Sequence, residues 1–211
     1  MTADETRVLL ERGKTWVFAS ALDHAGWARR GKGEDAALQA LADYEDRYRL
    51  VVGDLCPAGA GDRLVVVQEV PGTATTDFGA PDGKGEADLE PVDRAVADRL
   101  VVVLDACWDH LDEAVAGAPA ELAKGPRGGG RDRDGIRDHV REAERGYGRT
   151  IGVRVPPRTP WSEQREALRQ GVRADVGVQR DTGWPVRYWA RRAAWHVLDH
   201  AWELQDKAPP T

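Results

Sequence analysis

Two histidines, His196 and His200, stand four residues apart in a stretch from Val186 to Lys207 that holds no glycine or proline. On an α-helix, residues at that spacing project from one face with Cβ atoms roughly 5–6 Å apart. Two imidazoles so placed can share one metal ion. The chain holds five histidines in all. A third, His139, falls beside Ile136, Val140 and Ala143 in a helix-periodic stretch over about 132–151, so it faces inward with the core residues. Two histidines from one helix and one from a facing helix are enough to hold an ion with open coordination positions. Neutral imidazole binds zinc at about 2.0–2.1 Å, and a catalytic zinc keeps a position for water or substrate. The same donor set suits nickel, iron or cobalt. Such an ion lowers the pKa of a bound water or thiol, or polarises a carbonyl.

A helical wheel at about 100° per residue sets Ala194, Leu198 and Ala201 opposite the two histidines. The histidine face carries Trp189, Arg192, Ala193, Asp199 and Glu203. That pattern fits a pocket and fits a solvent-exposed face. Asp199 or Glu203 can accept the second ring N–H of a ligand histidine or act as base. Arg192 reads first as half of a surface ion pair, with binding of a substrate carboxylate as the alternative. Trp189 and Trp195 wall a pocket or pack in a core. Glu142 flanks His139 as a pocket residue. Glu144 points about 140° away from His139 on the same wheel, which suits a structural salt bridge. Candidate catalytic residues are therefore Asp199, Glu203 and Arg192, around the ligands His139, His196 and His200.

The elements that must position these groups fall into two parts. Thr6–Glu11 and Thr15–Leu22 are rich in β-branched and aromatic residues and flank Arg12-Gly13-Lys14, which reads as a hairpin. Residues 23–33 read as a polar loop. Residues 34–48 carry Ala37, Leu38, Leu41, Ala42 and Tyr44 at helical spacing, with Glu34 and Asp35 in the first turn where the dipole favours them. Residues 63–70 read as a strand, so residues 1–70 form a ββαβ module. Residues 71–91, rich in Gly, Pro, Thr and acids, read as a linker. Residues 92–211 then read as four helices, near 92–116, 132–151, 160–176 and 186–206, with Pro160 and Pro185 at helix starts. The glycine-rich run at 125–131 fits neither phosphate-binding fingerprint and reads as a loop.

Composition narrows the function classes. The chain has 211 residues, 31% of them charged, and a formal net charge of −6. A net acidic chain lacks the basic stripe of a nucleic-acid binder. No apolar run approaches the roughly 20 residues of a membrane span, and no secretory leader pattern opens the chain. The two cysteines, Cys56 and Cys107, lack metal-motif spacing, and Cys107 lies on an apolar stripe as a buried small residue. The expectation is a cytoplasmic, disulfide-free protein acting on a small molecule.

Two resemblances follow from quoted residues. Ala25-Gly26-Trp27 through Gly31-Lys32-Gly33-Glu34-Asp35-Ala36-Ala37, in its strand–loop–helix setting, resembles the HicB-type ββαβ module, with Ala25 in place of the usual Pro and Gly33 in place of a hydroxyl cap. It implies a small sheet that packs on the rest of the chain or supports a homodimer, not antitoxin function. His139-Val140-Arg141-Glu142-Ala143-Glu144 with His196-Val197-Leu198-Asp199-His200 resembles the DinB-like four-helix metalloprotein superfamily over about 92–211. The spacing after His139 is one residue shorter than the family's, and Glu144 is the nearest match to the family's acid. The resemblance implies an α+β protein whose bundle holds a divalent ion, zinc first with nickel or iron as alternatives, on three histidines. It further implies transfer of a low-molecular-weight thiol, of which mycothiol is one form, to a small electrophile: the ion lowers the thiol pKa and the thiolate attacks. A metal-dependent hydrolase or a non-catalytic metal-binding protein is the alternative.

Overall fold

A computed structural model describes residues 5–124, 130–179 and 182–208; most of the expected glycine-rich loop at 125–131 lies outside them. The protein is mixed α+β, a four-stranded sheet followed by helices. Strands β1 (Thr6–Arg12) and β2 (Val17–Ala21) form the expected hairpin, with Leu10 opposite Ala19. The sheet order is β3-β2-β1-β4, and β4 (Leu64–Pro71) runs parallel to β1.

Strand β3 (Ala28–Gly31) corrects the expected loop at 23–33 and makes the order βββααβ rather than ββαβ. Its Arg29-Arg30 pair breaks apolar alternation. Arg29 nevertheless lies over the Tyr44 ring at 3.6 Å and Trp202 at 4.4 Å, and Arg30 over Trp16 at 4.7 Å. Aromatic faces accept guanidinium groups, so two charged residues fit a paired strand. The expected helix over 34–48 is likewise two, α1 (Glu34–Asp43) and α2 (Glu45–Val52). At the break the Leu41 carbonyl accepts both the Trp27 indole N–H at 2.9 Å and the Tyr44 amide at 3.2 Å. The Glu45 carboxylate turns to the Gly59 and Gly61 amides, at 2.6 and 2.8 Å.

Residues 71–91, expected as a linker, are tied down. They form α3 (Ala74–Phe78) and a short 3₁₀ turn. The buried Glu11 carboxylate accepts from the Thr76 hydroxyl and the Asp82 amide. Asp88 meets Arg191 at 2.7 Å with both side chains about 3–4% exposed. One apolar cluster runs from Val8 and Leu10 in the sheet through Leu104 and Leu111 to Leu198 and Leu204.

Helices α4 (Arg94–Gly117), α5 (Arg133–Gly148), α6 (Trp161–Ala174) and α7 (Val186–Lys207) fall where periodicity places them. Helix α7 packs on α4 and α5, and α6 also packs on α4 and α5. The other flank of α7 meets the N-terminal part. Trp195 stands edge-on to Phe18 of β2 at 6.0 Å. Gly26, at φ 95°, lets the loop approach so closely that a Cβ there would sit 3.0 Å from the Ala194 Cβ. A helix covered on every side must be apolar nearly all round, and α7 buries Trp189, Ala190, Ala193, Ala194, Val197, Leu198 and Ala201 around its circumference. Among the described residues, no helix is long and apolar enough to cross a membrane.

Candidate metal centre

Helix α5 presents His139 to the α7 face that carries His196 and His200. The Nε2 atoms of His139 and His196 are 3.2 Å apart. The three rings stand at centroid separations of 5.0, 4.9 and 4.7 Å. One nitrogen from each lies within 4.8 Å of the others. Zinc–nitrogen bonds of about 2.0–2.1 Å in tetrahedral geometry put two ligand nitrogens about 3.3 Å apart. The His139–His196 pair is already at that distance. The widest pair closes from within 4.8 Å by about 1.5 Å, within reach of a small ring rotation. His196 is buried and the other two are half-buried, so the cluster lies at the edge of the core with one side toward solvent.

His200 Nδ1 meets Glu203 Oε2 at 2.7 Å, and Glu203 Oε1 accepts from Lys207 Nζ at 2.5 Å. The hydrogen bond from His200, with help from Lys207, holds the Glu203 carboxyl down at about 2. Glu203 is thus an anion that accepts from Nδ1–H of His200, which orients the ring. Burial first, then the charges of His200, Arg192 and Arg131, push His196 well below the usual imidazole range. His139 is lowered by burial, His200 and Arg131. Neutral imidazole is the ligating form.

The remaining candidates separate. Glu203 meets the His200 ring nitrogen, as its spacing suggested. Asp199, one residue before His200, projects toward the sheet and accepts from Arg29 at 3.0 Å. With Arg29, Phe18, Tyr44 and Trp195 it lines a 220 Å³ cavity there. Glu142 is exposed and pairs with Arg145, away from the histidines. Trp189 is core, 0% exposed, and not a pocket wall. Arg192 is no surface ion pair: it is 8% exposed, and its Nε and Nη1 have no hydrogen-bond partner. Glu144 is no salt bridge. It is buried and accepts the indole N–H groups of Trp108 and Trp161, each at 2.6 Å, while Arg165 pairs with Asp112.

Tyr147 was missed as a neighbour of the site. It lies eight residues after His139 on α5, and its ring stands 5.7 Å from His196. A polar-tipped aromatic two turns along from an inward histidine was the available signal. Neither cysteine competes as a nucleophile, because burial raises Cys107 strongly and Cys56 to about 11. No known family matches the chain, and no curated protein or solved structure matches it.

Proposed function

We propose that His139, His196 and His200 hold one divalent ion, zinc first, and that the chain is a metal-dependent enzyme transferring a low-molecular-weight thiol to a small electrophile, its C-terminal helices forming a DinB-like four-helix bundle. The observation that supports this reading is the convergence of three imidazoles from two helices, one of them hydrogen-bonded to a carboxylate. An ion on three uncharged ligands keeps its full charge and supplies Lewis acidity to a coordinated thiol, whose free pKa is only about 8.5. The protein's own residues favour a thiol over water. Among the described residues, the one carboxylate that contacts the triad is Glu203, and both its oxygens are engaged by His200 and Lys207. A free water, at about 15.7, has further to be lowered by the ion than a free thiol does.

Protein purified without affinity nickel should carry close to one divalent ion per chain by elemental analysis. His139→Ala, His196→Ala and His200→Ala should each lose it, and full retention in any two sinks the triad. Incubation with mycothiol and a bimane electrophile should give a conjugate; ester hydrolysis without conjugate with any thiol replaces thiol transfer by hydrolysis.

A further inference from the structure

Arg191 and Arg192 are consecutive, and both are buried in α7, at 4% and 8% exposure. Arg191 has its counter-charge: Nη2 meets Asp88 Oδ2 at 2.7 Å and the Gly83 carbonyl at 3.2 Å. Arg192 has none. Among the described residues it forms no ion pair, and its buried Nε and Nη1 donate to nothing. Its guanidinium lies between two rings, 5.3 Å from Tyr147 and 4.8 Å from Trp195. Ring faces ease a cation's burial but take no N–H in the guanidinium plane. A buried charge without a partner is costly, so the fold around Arg192 is short of a group that brings the opposite charge.

The unpartnered atoms around Arg192 agree in kind. The Trp195 indole N–H and His196 Nδ1 are also buried without partners. Indole and guanidinium only donate, and His196 Nδ1 donates when Nε2 is on an ion. All of these groups ask for lone pairs. The carboxylates nearby are spent: Asp82 accepts from Thr73 and Tyr188, and Glu203 is held by His200 and Lys207.

We propose that Arg192 anchors an anion subsite one helical turn from His196, and that the small molecule handled at the histidines carries a carboxylate seated there. One negative charge balances one guanidinium, which favours a carboxylate over a dianionic phosphate. The half-buried Tyr147, packed 5.2 Å from Trp184, flanks the Arg192 guanidinium from α5. The role in substrate binding rests on the metal-centre reading; the anion site itself does not.

The test uses chelator-treated, metal-free protein titrated with sodium acetate against sodium chloride at equal ionic strength, read by thermal midpoint and tryptophan fluorescence. Wild type should show a saturable acetate-specific rise in midpoint. Arg192→Gln should abolish it while the acetate-free midpoint stays equal or rises, because an uncompensated buried charge has been removed. Arg192→Lys should fold and bind acetate at least tenfold more weakly. If Arg192→Gln does not fold, Arg192→Lys decides: wild-type acetate binding there overturns the proposal. Equal responses to acetate and chloride in wild type overturn it as well. So does an acetate response that needs added zinc and survives Arg192→Gln, since the carboxylate then sits on the ion. His139→Ala should keep the acetate response, so failure of the metal centre and failure of the anion site give different results.

Discussion

Glu144 ties three helices together, and its removal offers a sharp energetic test. From α5 it accepts Trp108 Nε1 of α4 and Trp161 Nε1 of α6, each at 2.6 Å, with Gln164 Nε2 at 3.4 Å. Glu144→Ala leaves the buried Trp108 indole N–H and the half-buried Trp161 indole N–H without acceptors, at roughly 1–3 kcal/mol each. Gln164 keeps its bond to the Arg141 carbonyl at 2.9 Å. Loss of the carboxylate's own burial cost offsets part of this, so about 3–4 kcal/mol is expected. With 211 residues and about 2.1 cal/mol/K per residue, the midpoint should fall by roughly 7–9 °C by calorimetry. Trp161→Phe removes one of the orphaned donors. In the Glu144→Ala background it should therefore cost about 1 kcal/mol less than in wild type. Strict additivity, or a loss below about 1 kcal/mol for Glu144→Ala, would refute the account. The pH dependence has a fixed sign. Burial raises the Glu144 carboxyl above its ordinary 4.5, so the folded state holds the proton more tightly. The stability this contributes is complete below the ordinary range and is lost as pH rises through the raised folded value. Glu144→Gln should flatten that decline.

Glu203→Gln should weaken zinc by about 10–100-fold in a chelator competition, since His200 loses its orienting anion; unchanged affinity removes Glu203 from the site. Because Glu203 is depressed to about 2 from 4.5, its stabilisation is present above the ordinary range and disappears as pH falls toward 2, so Glu203→Gln should show a shallower acid denaturation. Asp88→Asn strands Arg191 in the core and should cost about 3–5 kcal/mol in urea; a loss under about 1 kcal/mol would mean the pair does not hold residues 72–91. Gly26→Ala should lower the thermal midpoint, because a side chain at φ 95° also meets Ala194 at 3.0 Å, and no change would show that the loop yields freely.

What could be read before the fold was known divides by the range of the interaction. The triad was legible because its signals are local: an i, i+4 pair in an unbroken helix, and an inward position on a second periodic stretch. Glu203 came from the same logic, three residues from His200. Asp199 shows where that logic stops. A wheel tells which residues share a face of one helix, not what covers each face. Helix α7 has the sheet on one flank and α4 and α5 on the other, so Asp199 reaches Arg29 and Trp189 is sealed in the core. Strand β3 was hidden because Arg29 and Arg30 satisfy the strand only through Tyr44, Trp202 and Trp16, from other elements. Glu144 was placed correctly as facing away from His139, but its partners Trp108 and Trp161 lie on α4 and α6, beyond any spacing rule. Arg191 and Arg192 make the point most directly. They are indistinguishable neighbours in sequence, and among the described residues the fold supplies Asp88 to one and two ring faces but no counter-charge to the other. A buried donor set left without an acceptor is a property of the whole assembly, and it is that imbalance, not the arginine itself, that points to a ligand.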